Sequence, residues 1–91
     1  MPWAVALADR AQKSRKGLPS GDRRRVDAAL EAMQTDPLSG DVVKLKGTDA
    51  FRWRVGSYRI MFDIDFKTRL VRVFDIVRRP PQPTAEGGGG R

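Results

Sequence analysis

The sequence predicts an α+β domain of two layers, in which a short N-terminal strand and two helices pack on one face of a mostly antiparallel sheet (β-α-α-β-β-β). Three observations carry this. Trp3, Val5 and Leu7 alternate with Ala4 and Ala6; Val26, Ala29, Leu30 and Met33 recur at i, i+3, i+4 and i+7; and apolar residues alternate at period two through much of the stretch from Phe51 to Val77. Period two marks strands and the 3.6-residue period marks an amphipathic helix. At 91 residues the chain has room for one core and not two.

The elements follow in order. The first strand covers Trp3 to Leu7 and closes at Asp9. Asp9 to Lys16 favours a short helix with a thin apolar stripe, ended by Gly17 and Pro19. Ser20 is the expected N-cap of the second helix, which should stop at Asp36-Pro37 because the proline ring disfavours a helical conformation at Asp36. After a polar link through Ser39 and Gly40, Phe51, Trp53 and Val55 alternate with Arg52 and Arg54, Gly56-Ser57 makes a two-residue turn, and Tyr58, Ile60, Phe62 and Ile64 alternate with Arg59, Met61 and Asp63. This is a hairpin signal. Leu70 to Val77, reached by a turn around Asp65 to Arg69, is apolar on both parities except at Arg72 and Asp75, as a more central strand would be. The domain is therefore expected to span residues 1–79. Residues 80–91, rich in proline and ending in four glycines before Arg91, form a tail expected to be disordered.

Composition narrows the chemistry. The chain has no cysteine and no histidine. A disulfide framework, a thiolate or histidine metal centre, a cysteine nucleophile and a Ser-His-Asp triad are all excluded. Asp63, Asp65 and Asp75 are read as neutralising neighbouring cations or holding a turn rather than as a magnesium site; no metal or cofactor is expected. Eighteen Lys and Arg against eleven Asp and Glu give a net charge of +7. That balance points to a polyanionic or acidic partner, nucleic acid first. No apolar run reaches the roughly 18 residues of a membrane span, and the N-terminus lacks the basic start of a signal peptide, so the expected location is the cytoplasm, with no membrane partner.

The basic residues concentrate on one stretch. Lys44, Lys46, Arg52, Arg54 and Arg59 are opposed there only by Asp49, and Arg78 and Arg79 follow at the end of the last strand. By parity Arg52, Arg54 and Arg59 share the sheet face away from the helices, on neighbouring strands about 4.8 Å apart. Like charges so close repel, and five of the seven are arginine, whose planar fork suits phosphate. Lys44 and Lys46 also read as edge-strand solubility residues. Trp53 and Tyr58 could stack on bases, but parity places them in the core. The charges of the two helices, including Arg10, Lys13, Arg15, Lys16 and Arg23 to Arg25, read as a mixed solvated surface.

Trp3 to Leu7, the helical pair, Asp36-Pro37, Lys44-Leu45-Lys46-Gly47, the run Phe51 to Phe62 and a last strand ending in Arg78-Arg79 together resemble the RelE/ParE toxin superfamily, and its RelE branch most closely. The resemblance covers residues 3 to 79. Its most specific part is the basic-apolar strand followed by Val55-Gly56-Ser57-Tyr58-Arg59. It implies the toxin of a bacterial type II toxin–antitoxin system, neutralised by a cognate antitoxin and bound through it to operator DNA. In the RelE branch it further implies a ribosome-dependent mRNA endonuclease: a ribose 2′-hydroxyl attacks the adjacent phosphate without a metal. The resemblance assigns catalytic positions to Arg52, Arg54, Arg59 and Arg79, with Arg78 as a one-residue alternative to Arg79; Lys44, Lys46 and Arg78 are expected to touch RNA.

The chain also departs from that pattern. Arginines stand at 52 and 54 where the best-known branch has lysines, and no Tyr or His follows Arg79. A guanidinium clamps phosphate but is a poor proton acceptor. Ribosomal RNA groups, Lys44 and Lys46, or a slow turnover are the alternatives this leaves. Two other functions remain open at this stage: a ParE-like inhibitor of DNA gyrase without nuclease activity, and a non-catalytic co-repressor acting with its antitoxin.

Overall fold

A computed structural model describes residues 2–79; the predicted tail lies outside the described residues. The elements are β1 (Ala4–Leu7), α1 (Asp9–Lys16), α2 (Ser20–Thr35), β2 (Val42–Lys44), β3 (Ala50–Val55), β4 (Tyr58–Asp65) and β5 (Leu70–Arg78). The five strands form one sheet in the order β1-β5-β4-β3-β2. β1 runs parallel to β5, and every other pairing is antiparallel.

The predicted two-layer α+β architecture is the one observed. The α2 stripe Val26, Ala29, Leu30 and Met33 is buried, with Ala11 of α1, against Trp53, Tyr58, Ile60, Phe62, Val71, Val73 and Ile76. Trp53 and Tyr58 are core residues, as parity required. Each of the larger aliphatic and aromatic side chains removed from water contributes on the order of 1.5–3 kcal/mol, which is why the helices stay on this face. Among the described residues the opposite face of the sheet carries no helix.

Three details differ from the expectation. The helix α2 starts on Ser20 itself; Pro19 occupies the N-cap position, and no side chain caps the helix. A proline supplies a fixed φ there but no side-chain acceptor, so Ser20 is not the cap. The strand β2 is an addition to the expected order, a three-residue edge pairing with β3 through Val42↔Trp53, Val43↔Arg52 and Lys44↔Phe51. Finally, β5 contains a bulge: Met61 faces Asp75 and Phe62 faces Val73, so β5 spends an extra residue, Phe74, at that point.

Turns fix the ends. Gly56 at φ +55° turns the β3–β4 hairpin, with Val55 opposite Tyr58. The Asp65 carboxylate accepts the backbone N–H groups of Lys67 and Thr68 and shapes the turn into β5. These bonds hold its carboxyl below the usual carboxylate range, the Thr68 amide contributing most. The end of α2 is set as expected: Asp36 is extended at φ −156°, ahead of Pro37.

Candidate nucleic-acid interface

The open face is ruled into cross-strand rows by the sheet register. Arg54 of β3 stands opposite Arg59 of β4, which stands opposite Val77 of β5. One residue beyond β2, the backbone carbonyl of Asp41 accepts the Arg54 N–H at 3.0 Å, which brings Asp41 into the same row. The next row on this face is Val43, Arg52, Met61. Arg79, past the end of β5, donates its backbone N–H to the Ser57 carbonyl at 2.6 Å, which fastens it beside the hairpin tip.

Arg59 is the centre of this arrangement. Its guanidinium is pushed below the usual arginine range, first by burial and then by repulsion from Arg52, Arg79 and Arg54, with Asp41 opposing the shift. Its Nε is buried and has no hydrogen-bond partner. An unmet buried donor is unfavourable, because it has lost its water without gaining a partner. The fold holds it there without an ion pair among the described residues. Arg54 differs: its Nε and Nη2 both lie 2.8 Å from Oδ2 of Asp41. Both partners are more than half exposed, so the pair orients Arg54 more than it stabilises the fold.

The structure thus brings Arg52, Arg54, Arg59 and Arg79 together and separates the other basic candidates from them. Arg78 stands opposite Tyr58 and lines, with Asp22 and Arg25, a recess on the helix side of the hairpin tip. It is not interchangeable with Arg79, because consecutive strand residues project to opposite faces. Lys44 shares its rung with Phe51, which packs against the core, and Lys46 lies in the exposed loop before β3. Neither lysine shares the parity of Arg52 and Arg54.

The carboxylates sort as the sequence suggested. Asp63 pairs with Arg72 at 2.7 Å, and Asp75 takes Arg10 at 3.9 Å and the Ser14 hydroxyl at 3.4 Å. Among the described residues no cluster of three or more acidic side chains could hold a metal ion. On the helices, Arg15 donates to both oxygens of Asp27, at 2.6 and 2.9 Å, and that hydrogen bonding draws the Asp27 carboxyl below its usual range. Sequence reasoning missed Asp41. The signal was its parity with Val43, readable only once β2 is recognised as a strand.

No protein-family model matches the chain. A curated protein of Methanocaldococcus jannaschii named toxin RelE1 is 28% identical over 83 residues, which cover 87% of this chain and 92% of that protein. The archaeal RelE–RelB complex from Pyrococcus horikoshii contains a chain that superposes with a TM-score of 0.79 at 26% identity, covering 87% of this chain and 97% of that one. In sequence and in fold the chain is similar to the RelE branch of the RelE/ParE toxin superfamily. The isolated Escherichia coli RelE toxin shares its fold, with a TM-score of 0.79 at 18% identity over 92% of each chain. No helix of the described residues is long and apolar enough to cross a membrane.

Proposed function

We propose that this chain is the toxin of a type II toxin–antitoxin system, a ribosome-dependent mRNA endonuclease that inhibits translation and is neutralised by a cognate RelB-type antitoxin. The observation that carries the reading is Arg59, a partly buried guanidinium with an orphan Nε, set among three further arginines on an open sheet face. A fold gains nothing from that repulsion. A phosphate seated among these groups relieves it and meets the donors they leave unsatisfied.

The chemistry follows from the same residues. The ribose 2′-oxygen forms a bond to the adjacent phosphorus, the bond from phosphorus to the 5′-oxygen breaks, and a 2′,3′-cyclic phosphate remains. Arg52, Arg54, Arg59 and Arg79 hold the phosphate and stabilise the negative charge that grows on its oxygens. Arginine cannot take the hydroxyl proton. Asp41 faces the cluster with Oδ2 committed to Arg54. Its other oxygen, Oδ1, is the acceptor in this scheme; it passes the proton to solvent, and the leaving 5′-oxygen takes one from water. Side-chain cations do the work that a metal does in other nucleases.

Sequencing RNA 5′ ends after induced expression tests the reading: cuts confined to translated frames are expected. Arg59→Ala should lower cleavage about 100-fold or more and abolish growth inhibition, while folding and antitoxin binding persist. Asp41→Asn, which keeps an oxygen for Arg54, should lower cleavage by about 100-fold or more with RNA binding intact. Intact mRNA together with gyrase-linked DNA breaks would overturn the nuclease reading in favour of a ParE-like action.

A further inference from the structure

The bulge in β5 places an aromatic ring on the open face. Val73 and Ile76 both reach the core, so the strand must accommodate an extra residue between them. Phe74 is that residue. It stays out of the core cluster, is 38% exposed, and lines a shallow groove of about 380 Å³ with Ala6, Ala8, Asp63 and Arg72. Ala6 shares a rung with Arg72, Arg72 shares one with Asp63, and Asp63 has the parity of Arg59. The groove therefore opens on the side of the sheet that carries the guanidiniums. From Arg59 the groove's Asp63 lies four residues, roughly 13 Å, along β4, and Phe74 stands one strand spacing of about 5 Å across from that strand.

A single exposed Phe means little by itself. Here it has company that suits one kind of ligand. Ala6 and Leu7 of β1 and the following Ala8 give the groove an apolar wall beside the ring, and Arg72 and Asp63 cancel each other's charge in a 2.7 Å pair at the groove. A polyanion crossing from the arginine row thus meets an apolar, uncharged step within a nucleotide or two. Bulges recur beside functional sites because they re-aim a side chain.

We infer that Phe74 is a stacking platform for a nucleobase of the RNA whose phosphates are held by Arg54, Arg59 and Arg79. The inference rests on the RNA reading proposed above and adds a site for the base to that reading. Stacking uses the π-face common to all bases, so the platform adds grip without imposing a sequence.

The test is binding of the full-length protein to a single-stranded oligoribonucleotide carrying one 2-aminopurine. Phe74→Ala should weaken binding by about 5- to 150-fold. Phe74→Trp should hold affinity within about threefold of the native chain and keep the fluorescence quench that marks a stacked base. Phe74→Leu decides the mechanism: it keeps an apolar side chain without a ring, and should bind as weakly as Phe74→Ala with the quench lost. Native-like binding and quenching by Phe74→Leu would overturn stacking, as would an unchanged affinity in Phe74→Ala. If the native chain itself failed to bind RNA, while Phe74 variants remained folded by circular dichroism, the RNA reading would fall and the inference with it.

Discussion

Tyr58 donates its hydroxyl to Oδ2 of Asp22 at 3.0 Å and so ties the hairpin to the first turn of α2. Burial first, and then the Asp22 carboxylate, push its phenol above the usual tyrosine range. The sign of the consequence is fixed. The unfolded phenol ionises near pH 10, the folded one later, so this stabilisation is complete below pH 10 and is lost as pH rises through the folded value. Tyr58→Phe should therefore be less stable than the native chain at neutral pH. Urea midpoints compared from pH 8 to 11 should converge with rising pH, and parallel curves would mean that the hydroxyl is not linked to folding. Residue parity also shows how far the sequence reaches at this scale. It put Tyr58 and Trp53 inside and Arg52, Arg54 and Arg59 outside from alternation alone. It did not separate Arg78 from Arg79, because which of two consecutive residues continues the parity depends on the bulge upstream of them.

Elements were legible where a period had room to repeat. The α2 stripe and the hairpin each show several periods, so their bounds and faces emerged from the sequence. Three residues of β2 hold no full alternation, and that strand is recognised only from its pairing with β3. Its position depends on a contact outside the strand: a Cβ on Gly40 would collide with the indole ring of Trp53. Gly40 lets the chain pass against that buried ring just before Asp41 enters its row with Arg54. Gly40→Ala should force Trp53 or the β2 backbone to shift, at a cost of about 1–3 kcal/mol. The measurement is a denaturant titration followed by tryptophan fluorescence. An unchanged midpoint would mean that the indole repacks freely and that β2 is not pinned there. The bulge in β5 was illegible for a related reason: a strand apolar on both parities gives no parity break to reveal an extra residue.

At the scale of the molecule, the net charge of +7 admits two descriptions. Either the whole surface attracts polyanions diffusely, or the open-face cluster accounts for the attraction. The concentration of charge favours the cluster. Arg15 and Arg10 of α1 meet Asp27 and Asp75 and Arg72 of β5 meets Asp63, whereas Arg59 is repelled at close range by Arg52, Arg79 and Arg54 and has no ion pair among the described residues. Salt dependence separates the two. Each phosphate contact on a single strand contributes a slope of about −0.7 to the log–log plot of affinity against salt, so four arginines predict a slope near −3 and a loss of roughly 50-fold between 50 and 200 mM. Arg59→Ala should flatten the slope by about 0.7. Removal of one exposed helical charge, as in Arg24→Ala, should leave it unchanged. Equal flattening by both substitutions would indicate a diffuse field, in which case the orphan Arg59 guanidinium is not where the RNA backbone is held.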